Sequence, residues 1–373
     1  MSMRIVMWGT YDLGKPRVRI LERGLSENGI DLLTCHHDVW GGVEDKSQIK
    51  GISRKLLFLI KWLLSYPSLV FRYLRLPKHD AVLVGYMGHL DVLILWPFAR
   101  MRGVPIIWDA FLSLYNTVVE DRRLISPGNP LAKLLWIWER LACRAADQVF
   151  LDTRTHAEYF AQTFNVSKTK LSDVFVGVEP EAFPQLDGED ANAVRPTVLF
   201  YGQFIPLHGI ETIFQAAFLA KDEPIDWVII GSGQEESRIR AMLGDNPLLN
   251  LKWIPWVSYE GLSVWLNRAT VCLGIFGNTE KAARVIPNKV FQILMSGKPL
   301  VTRDSAAIRE LILPGHVGVF LVPPSNPEAL LEAIHIAIQL PQKNNLHQSI
   351  YEKITPQGVA SKLISIIENR HSE

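Results

Sequence analysis

The sequence predicts an α/β protein made of two Rossmann-like domains, each with a parallel sheet. Its 373 residues exceed what one ordinary core accommodates and suit two domains. An apolar strand at Arg4–Trp8 leads through a glycine-containing loop into a helix of apolar periodicity, and then into a second strand, Ile30–Cys35. This order is typical of a parallel βαβ unit. A strand followed by a glycine-containing loop appears again at Thr197–Tyr201, so the chain contains the pattern twice.

Charge balance and cysteine content exclude several classes of protein. The chain has 39 basic and 38 acidic residues, so its overall charge does not favour binding to nucleic acid. Its 3 cysteines show neither a disulfide framework nor a metal-ligand spacing, which indicates a reducing compartment. The first residues lack the architecture of a signal peptide, because their apolar run is short and reads as a strand. We therefore expect a cytoplasmic protein.

The loop after the first strand carries residues that suit an anionic ligand. It runs from Gly9 to Arg17. Gly14 would allow the backbone to approach a ligand closely, and Lys15 and Arg17 would attract a negative charge. The alternative is a tight turn whose charges point into water.

The segment Ile52–Leu76 combines apolar, aromatic and basic residues in a way that favours a membrane surface. Pro67 interrupts it, and no uninterrupted apolar run reaches the ~20 residues needed to span a bilayer. A basic amphipathic helix of this kind lies along the interface of an anionic leaflet. The alternative is a helix that covers the N-terminal sheet with its charges in water. The candidate membrane-contacting residues are Lys55, Lys61, Trp62, Arg72 and Arg75.

Two further strands of the first domain lead to residues with catalytic chemistry. Asp80–Gly85 is followed by His89, and Val104–Trp108 is followed by Asp109. Ligands of open α/β sheets bind at the carboxyl ends of the strands. A carboxylate there can act as a base toward a hydroxyl or stabilise a developing cation, and His89 is a second candidate. The alternatives are a helix-capping Asp109 and a structural His89.

The stretch Asn278–Arg303 is the strongest candidate for a binding element. Its first half carries three cations, Lys281, Arg284 and Lys289. A helix begins near Pro287, and its open N–H groups and dipole would favour a negatively charged ligand. The three cations indicate a phosphate-rich ligand. A solvated basic loop before an ordinary helix is the alternative.

This stretch resembles the donor-binding element of the GT-B glycosyltransferases, in particular the retaining enzymes of family 4. The resemblance rests on the pattern I-P-N-K-V-F-Q-x-L-x-S-G-K-P, which begins at Ile286. The family usually has two glutamates eight positions apart, and here Arg284 and Gln292 hold their places. The chain therefore resembles a variant branch of the family. Gln292 could still bond a ribose, because its amide offers donors and an acceptor.

Other motifs of the second domain are similar to motifs of the same family. Gly202-Gln203, followed by His208-Gly209, stands where the family has an arginine and a lysine that hold the diphosphate. The basic cluster of the donor-binding element would supply the missing charge. The resemblance also implies a glycine turn beneath the nucleotide, a backbone contact with the base and a common acidic position. The implied donor-binding residues are Gly202, Gln203, His208, Gly209, Gly231, Gly233, Val257, Lys281, Arg284, Asn288, Lys289, Gln292 and Glu310.

The resemblance further implies a domain organisation. Residues 1–190 would form the acceptor domain and residues 191–355 the nucleotide-sugar donor domain, with the two parallel sheets facing each other across a cleft. Residues 356–373 would form a helix that crosses back to the first domain. In the family, the loop that here contains Gly14, Lys15 and Arg17 lines the cleft. A functional histidine often stands at the position that Asp109 holds.

A glycosyltransferase is the function that the resemblance implies. It would move a sugar from a nucleotide diphosphate-sugar to a hydroxyl, with retention at the anomeric carbon. We expect a lipid-linked envelope glycan as acceptor and a protein on the anionic inner face of the membrane. No D-x-D pattern occurs in the sequence, so we expect neither a metal nor another cofactor. Two alternatives stay open: a GT-B-fold nucleotide-sugar epimerase and a catalytically weakened nucleotide-sugar-binding subunit.

Overall fold

The chain forms two compact units in the computed structural model. The first comprises Met1–Gly177 together with Thr355–Glu373, and the second comprises Val178–Ile354. The structure describes residues 3–41, 52–185, 195–244, 248–341 and 346–371, apart from the side chains of residues 52–55 and 371. From its polar composition, the stretch at 187–195 is expected to be a linker, and it lies outside the described residues except for Arg195.

Strands and helices alternate through the first unit. Its elements are β1 (Arg4–Gly9), α1 (Pro16–Glu27), β2 (Asp31–His36), α2 (Ile52–Leu74), β3 (Ala81–Val84), α3 (His89–Arg102), β4 (Ile106–Asp109), α4 (Pro130–Ala145), β5 (Gln148–Leu151), α5 (Arg154–Phe164) and β6 (Leu171–Asp173). The central strands are short apolar runs buried throughout, as in parallel sheets that helices cover on both faces. Gly103 ends α3, because its φ of 66° suits a residue without a side chain.

The first sheet is parallel throughout, in the order β2-β1-β3-β4-β5-β6. Helices α2 to α5 cover one face around a core that includes Trp8, Trp108 and Phe160. Helix α1 packs on the other face through residues such as Leu21. The direction of the strand order reverses between β1 and β3. The loops after these two strands therefore meet at a topological switch point, where such sheets bind ligands.

The second unit repeats the alternation of strand and helix. Its elements are β7 (Thr197–Tyr201), α6 (Ile210–Leu219), β8 (Asp226–Ile230), α7 (Glu236–Leu243), β9 (Leu251–Ile254), α8 (Tyr259–Arg268), β10 (Val271–Leu273), α9 (Glu280–Arg284), α10 (Asn288–Met295), β11 (Leu300–Arg303), α11 (Ala306–Leu311), β12 (Val319–Val322), α12 (Pro327–Ile338) and α13 (Gln348–Ile354). Helix α14 (Pro356–His371) follows and belongs to the first unit, where it packs against α1.

The second sheet is also parallel, in the order β12-β11-β10-β7-β8-β9. Its main core includes Phe200, Trp227 and Phe276. The direction of the strand order reverses between β7 and β10, which makes the ends of these two strands the switch point of this unit. The expected α/β architecture with two parallel sheets is confirmed.

Helix α2 has a buried side and an exposed apolar side. Two residues of its buried side, Tyr66 and Tyr73, pack in the core of the first unit. Within the described residues, Leu56–Leu74 is a helix whose length and apolar composition would allow it to cross a membrane. We did not expect this from the sequence, because Lys61 and Pro67 interrupt the apolar run. The structure continues the helix through both residues.

Candidate functional site

The switch point of the second sheet brings two glycine-containing loops together. Residues 202–209 follow β7, and residues 274–279 follow the neighbouring strand β10. The N–H of Phe276 donates to the carbonyl of His208 at 3.0 Å. A Cβ on Gly209 would lie 2.4 Å from the backbone N of Gly277, so a larger residue would separate the loops. This place is where a parallel sheet is expected to bind its ligand.

Gly231 and Gly233, which follow β8, pack directly against the loop 202–209. A Cβ on Gly231 would lie 2.0 Å from the carbonyl oxygen of Gly202, and one on Gly233 would lie 2.8 Å from the backbone N of Phe204. The N–H of Phe204 also donates to the carbonyl of Ser232 at 2.9 Å. Backbone therefore stacks on backbone, which fixes the shape of the loop 202–209.

Lys289, the second residue of α10, has the most unusual surroundings of this site. Its side chain is 5% exposed, and its Nζ has no hydrogen-bond partner among the described residues. The Nζ lies 3.8 Å from the centre of the Phe200 ring. Burial lowers the pKa of Lys289 well below its ordinary value. An unpaired buried amine costs free energy, which makes it a candidate for function.

Gly202 packs directly against this amine. A Cβ there would lie 2.7 Å from the Nζ of Lys289 and 2.9 Å from the Cε1 of His208. His208 is buried, and its Nδ1–H donates to the carbonyl of Gln203, whose own side chain is exposed. A side chain at position 202 would therefore clash with Lys289 and His208, which both pack against the loop 202–209. A lysine and a histidine next to a glycine-containing loop suit an anion bound by that loop.

Gln292 lies on α10, three residues after Lys289, and a residue of β7 holds its side chain. It is buried, and its Oε1 accepts a hydrogen bond from the hydroxyl of Tyr201 at 2.9 Å. Burial raises the pKa of Tyr201 well above its ordinary value, so the hydroxyl keeps its proton as a donor. The amide NH₂ of Gln292 is the group that remains to donate to a ligand. Asn288, the first residue of α10, is half-buried.

The cations Lys281 and Arg284 lie on α9, and both are half-buried. An apolar cluster that includes Leu207 and Ala282 packs α9 against the turn before Gly209. The structure thus brings the basic helix next to the loop 202–209, as the donor-binding assignment requires.

The remaining donor-binding candidates lie at other strand ends of the same sheet. Glu310 is half-buried on α11, which packs against α9. Val257 is half-buried in the loop after β9, beside a Trp256 that is largely exposed. Trp253 on β9 donates its indole N–H to the carbonyl of Gly231 at 2.8 Å, which ties this edge of the sheet to the glycine turn.

The switch point of the first sheet is organised by a buried carboxylate, Asp91. Its Oδ2 accepts from the N–H of Thr10 at 3.0 Å, and its Oδ1 accepts from the hydroxyl of Tyr66 at 2.6 Å. A Cβ on Gly9 would lie 2.5 Å from Asp91 Oδ2. Burial raises the pKa of Asp91. Asp91 therefore fixes the loop after β1 and shapes this end of the sheet.

Asp109, the first catalytic candidate, forms a buried ion pair. It is 0% exposed, its Oδ2 accepts from Arg17 Nε at 2.7 Å, and its Oδ1 accepts from the N–H of Phe111 at 3.3 Å. Burial raises the pKa of Asp109, and the Arg17 charge opposes that rise. Arg17 also donates to the carbonyl of Val174, whereas its Nη2 has no partner among the described residues. Arg17 was expected to attract an anionic ligand, and the structure corrects this: the arginine is buried and its first partner is Asp109.

The rest of the expected acceptor loop is more open. Gly14 is exposed and its N–H donates to Asp12 Oδ1 at 3.0 Å. Lys15 is half-buried, and its Nζ lies 3.8 Å from Asp12 Oδ2. Asp12 thus bonds the backbone of the loop and lies within ion-pair distance of its lysine.

His89, the second catalytic candidate, is the first residue of α3 and is buried beside Glu139. Its Nε2 lies 3.5 Å from Glu139 Oε1, and neither ring nitrogen has a hydrogen-bond partner among the described residues. The other oxygen of Glu139 accepts from the hydroxyl of Ser113 and the N–H of Tyr115, each at 3.0 Å. The ring of His89 packs edge-on against Trp108. These contacts describe a polar group inside the core of the first unit.

The candidate membrane-contacting residues differ in their surroundings. Lys61, Arg72 and Arg75 are exposed. Trp62 is a correction to the expectation, because it packs against the core and donates its indole N–H to the hydroxyl of Thr10 at 2.9 Å. The side chain of Lys55 lies outside the part of the chain that the structure describes.

Several residues that organise these sites were not identified from the sequence. Phe200 packs under Lys289, Tyr201 holds Gln292, and Arg303 donates to the carbonyl of Gly277 in the loop before α9. Each ends or nearly ends a buried strand, which is the signal that could have drawn attention to them.

Comparison with known proteins assigns residues 195–339 to a family model. They match the model of the Glycosyl transferases group 1. The Escherichia coli protein WcaI, named as a colanic acid biosynthesis glycosyl transferase, is 27% identical over 171 residues. That match covers 45% of this chain and 41% of WcaI, so less than half of this relative is represented.

Solved structures show the same fold over nearly the whole chain. Sucrose-phosphate synthase from Thermosynechococcus elongatus superposes with a TM-score of 0.70 at 16% identity, covering 99% of both chains. HepE from Anabaena, solved in complex with UDP, superposes with a TM-score of 0.65 at 10% identity, covering 99% of this chain and 100% of HepE. These neighbours confirm the GT-B fold that the sequence motifs predict.

Proposed function

We propose that this chain, a GT-B-fold protein whose residues 195–339 match the group 1 glycosyl transferases, is a glycosyltransferase that uses a nucleotide diphosphate-sugar. One observation carries the proposal most directly. The Nζ of Lys289 and the ring of His208 both pack against Gly202, in the loop at the switch point of the second sheet. HepE, which has the same fold, was solved with UDP. We assign the diphosphate of the donor to this position.

The chemistry required of the donor site is stabilisation of a departing diphosphate. In glycosyl transfer the anomeric carbon gains oxocarbenium character while negative charge builds up on the leaving group. Lys289 and the open N–H groups at the start of α10 would meet that charge directly, and Lys281 and Arg284 would add to the field. We therefore propose transfer without a metal. Retention at the anomeric carbon follows from the resemblance to family 4.

We assign the acceptor to the first unit, where the loops after β1 and β3 meet. Asp109 and His89 are the candidate catalytic residues, yet both are buried. Asp109 pairs with Arg17, and His89 lies beside Glu139. For Asp109 to accept a proton from an acceptor hydroxyl, its pair with Arg17 would have to open. We propose that the pair positions the loop after β4.

A lipid-linked acceptor fits the surface of the first unit. Helix α2 exposes large apolar side chains, including a Leu64 that is 71% exposed. Helix α4, in the same layer, exposes a second apolar stripe that repeats every three to four residues. The exposed stripe of α4 consists of Leu131, Leu134, Ile137 and Leu141. The two acidic residues of helices α2 to α4, Asp91 and Glu139, are buried, whereas Lys61, Arg72 and Lys133 are exposed. We propose that this face binds the anionic inner surface of a membrane.

The envelope context draws on the similarity to WcaI, whose name refers to colanic acid biosynthesis. We propose a related role in the assembly of an envelope polysaccharide. Vesicle sedimentation tests the membrane part. Binding should require anionic lipid, weaken with salt, and fall when Arg72 and Arg75 are replaced together by Glu, because each surface cation contributes about 1 kcal/mol. If the protein does not bind anionic vesicles at low salt, a soluble acceptor would be favoured.

A donor panel tests the transferase itself. The purified protein is incubated with UDP-, GDP-, ADP- and dTDP-sugars, with and without lipid-linked acceptors, and release of nucleoside diphosphate is measured. We expect release with one donor class and faster release with acceptor. Conversion of the donor into its epimer would identify an epimerase instead. Tight donor binding without release would identify a binding subunit, and binding of no donor would refute the proposal.

A further inference from the structure

The surroundings of Lys289 disfavour a permanent charge on its amine. Phe200 and Tyr201 face the amine from β7. His208 lies near it at Gly202, and Gln292 lies on the same helix as Lys289. Tyr201 keeps its proton because burial raises its pKa. Burial is the cause that lowers the pKa of Lys289, and no carboxylate among the described residues opposes it. The Phe200 face favours an ammonium only modestly.

We propose that Lys289 is uncharged in the free protein and takes up one proton from solution when a diphosphate binds beside Gly202. The inference rests on the proposed function, since it takes the diphosphate of the donor as the ligand. Donor binding and proton uptake would then be one coupled event. The proton comes from the solvent, the amine becomes an ammonium, and the diphosphate supplies the compensating negative charge.

The geometry supports this coupling in two ways. The Nζ packs so closely against Gly202 that a Cβ there would lie 2.7 Å from it, which places the amine next to the glycine loop proposed to hold the diphosphate. No acceptor among the described residues bonds the Nζ, so a bound diphosphate would provide its first negatively charged partner. The favourable charge thus appears only when its counter-charge is present.

A dependence on pH follows. Between the lowered pKa of Lys289 in the free protein and its higher pKa in the complex, binding takes up a proton. Affinity for the diphosphate should then fall by about tenfold for each unit that the pH rises. A permanently charged cation would give no such slope.

Calorimetric titration measures the coupling directly. UDP, GDP, ADP and dTDP are titrated into the 373-residue chain at pH 8.5 in Tris and in EPPS, two buffers with different ionisation enthalpies. At this pH the terminal phosphate is fully ionised, because its pKa is about 6. We expect the apparent binding enthalpy of the wild-type protein to differ between the buffers by an amount that corresponds to about one proton taken up.

Variants assign the proton to a residue. Lys289→Met should bind the same nucleotide about tenfold more weakly or worse, with no buffer dependence. Lys298→Met removes a lysine that donates to the carbonyl of Asn267, outside this site, and should behave like the wild type. Uptake that persists in Lys289→Met and disappears in His208→Gln would overturn the assignment.

The wild-type protein alone keeps the inference testable if a variant fails to fold. Nucleotide binding with the same enthalpy in both buffers, and equal affinity at pH 8 and pH 9, would overturn the inference and leave the proposed function intact. Binding of none of the four nucleotides would instead count against the proposed function.

Discussion

Replacing Lys289 by methionine should stabilise the free protein, which is the reverse of the usual effect of changing a buried side chain. Methionine has a similar length and no polar head. The Nζ of Lys289 is buried without a partner among the described residues. Leaving such a group unpaired costs about 1–3 kcal/mol, so the free energy of unfolding should rise by about that amount. For a unit of this size, 1 kcal/mol corresponds to about 2–4 °C in Tm.

The gain in stability should depend on pH in a defined direction. The pKa of Lys289 is lowered well below 10.5 in the folded protein, whereas the unfolded chain keeps the ordinary value. Between the two values the unfolded chain binds a proton that the folded protein lacks, so wild-type stability rises with pH. Methionine does not titrate. The advantage of Lys289→Met over the wild type should therefore be largest near neutral pH and should shrink as the pH approaches 10.5.

Thermal and urea denaturation of three proteins test this reasoning. The wild type and Lys289→Met are compared with Lys298→Met, in which a lysine with a bonded Nζ is removed and stability should not rise. A Tm of Lys289→Met below that of the wild type would refute the reasoning, because the amine would then have a stabilising partner in solution.

Three further changes probe the remaining parts of the account. Arg284→Ala should weaken binding of a nucleoside diphosphate by about tenfold or more and leave binding of the free nucleoside unchanged, measured by titration calorimetry. The control Arg238→Ala removes an exposed arginine of α7 that pairs with Glu211, and it should change neither affinity. Asp109→Asn should lower the free energy of unfolding by about 3–5 kcal/mol, since the buried charge of Arg17 loses its partner; unchanged stability with abolished transfer would instead make Asp109 a base. Leu134→Glu on α4 should reduce sedimentation with anionic vesicles at low salt, and full binding by this variant would exclude α4 from the membrane-contacting face.

Local patterns in the sequence predicted most of the fold. The buried strands are short apolar runs, and the glycine loops after Tyr201 and Ile230 follow such runs directly. Both features depend on neighbouring residues, which is why sequence reasoning reached them. The helix α2 was described less completely, because one lysine and one proline do not end a helix that tertiary packing supports.

The pairings inside the sites could not be read from the sequence. Asp109 and Arg17 are 92 residues apart, and Trp62 lies 52 residues from the threonine to which it donates. Its residue type and its place after a strand made Asp109 a candidate catalytic residue. Only the fold shows that Asp109 pairs with Arg17 of the same unit. Likewise, the sequence indicated a basic cluster at Lys289 without indicating that its amine would be buried and unpaired.

Hydrogen–deuterium exchange with and without a nucleotide diphosphate-sugar tests the central claim, namely that the donor binds at the switch point of the second sheet. The donor is the one selected by the panel. Bound donor is expected to slow exchange in the peptides covering residues 202–209 and 284–292, and Lys289→Met is expected to weaken this protection at equal donor concentration. Protection confined to the first unit, or none at these two segments under saturating donor, would contradict the claim.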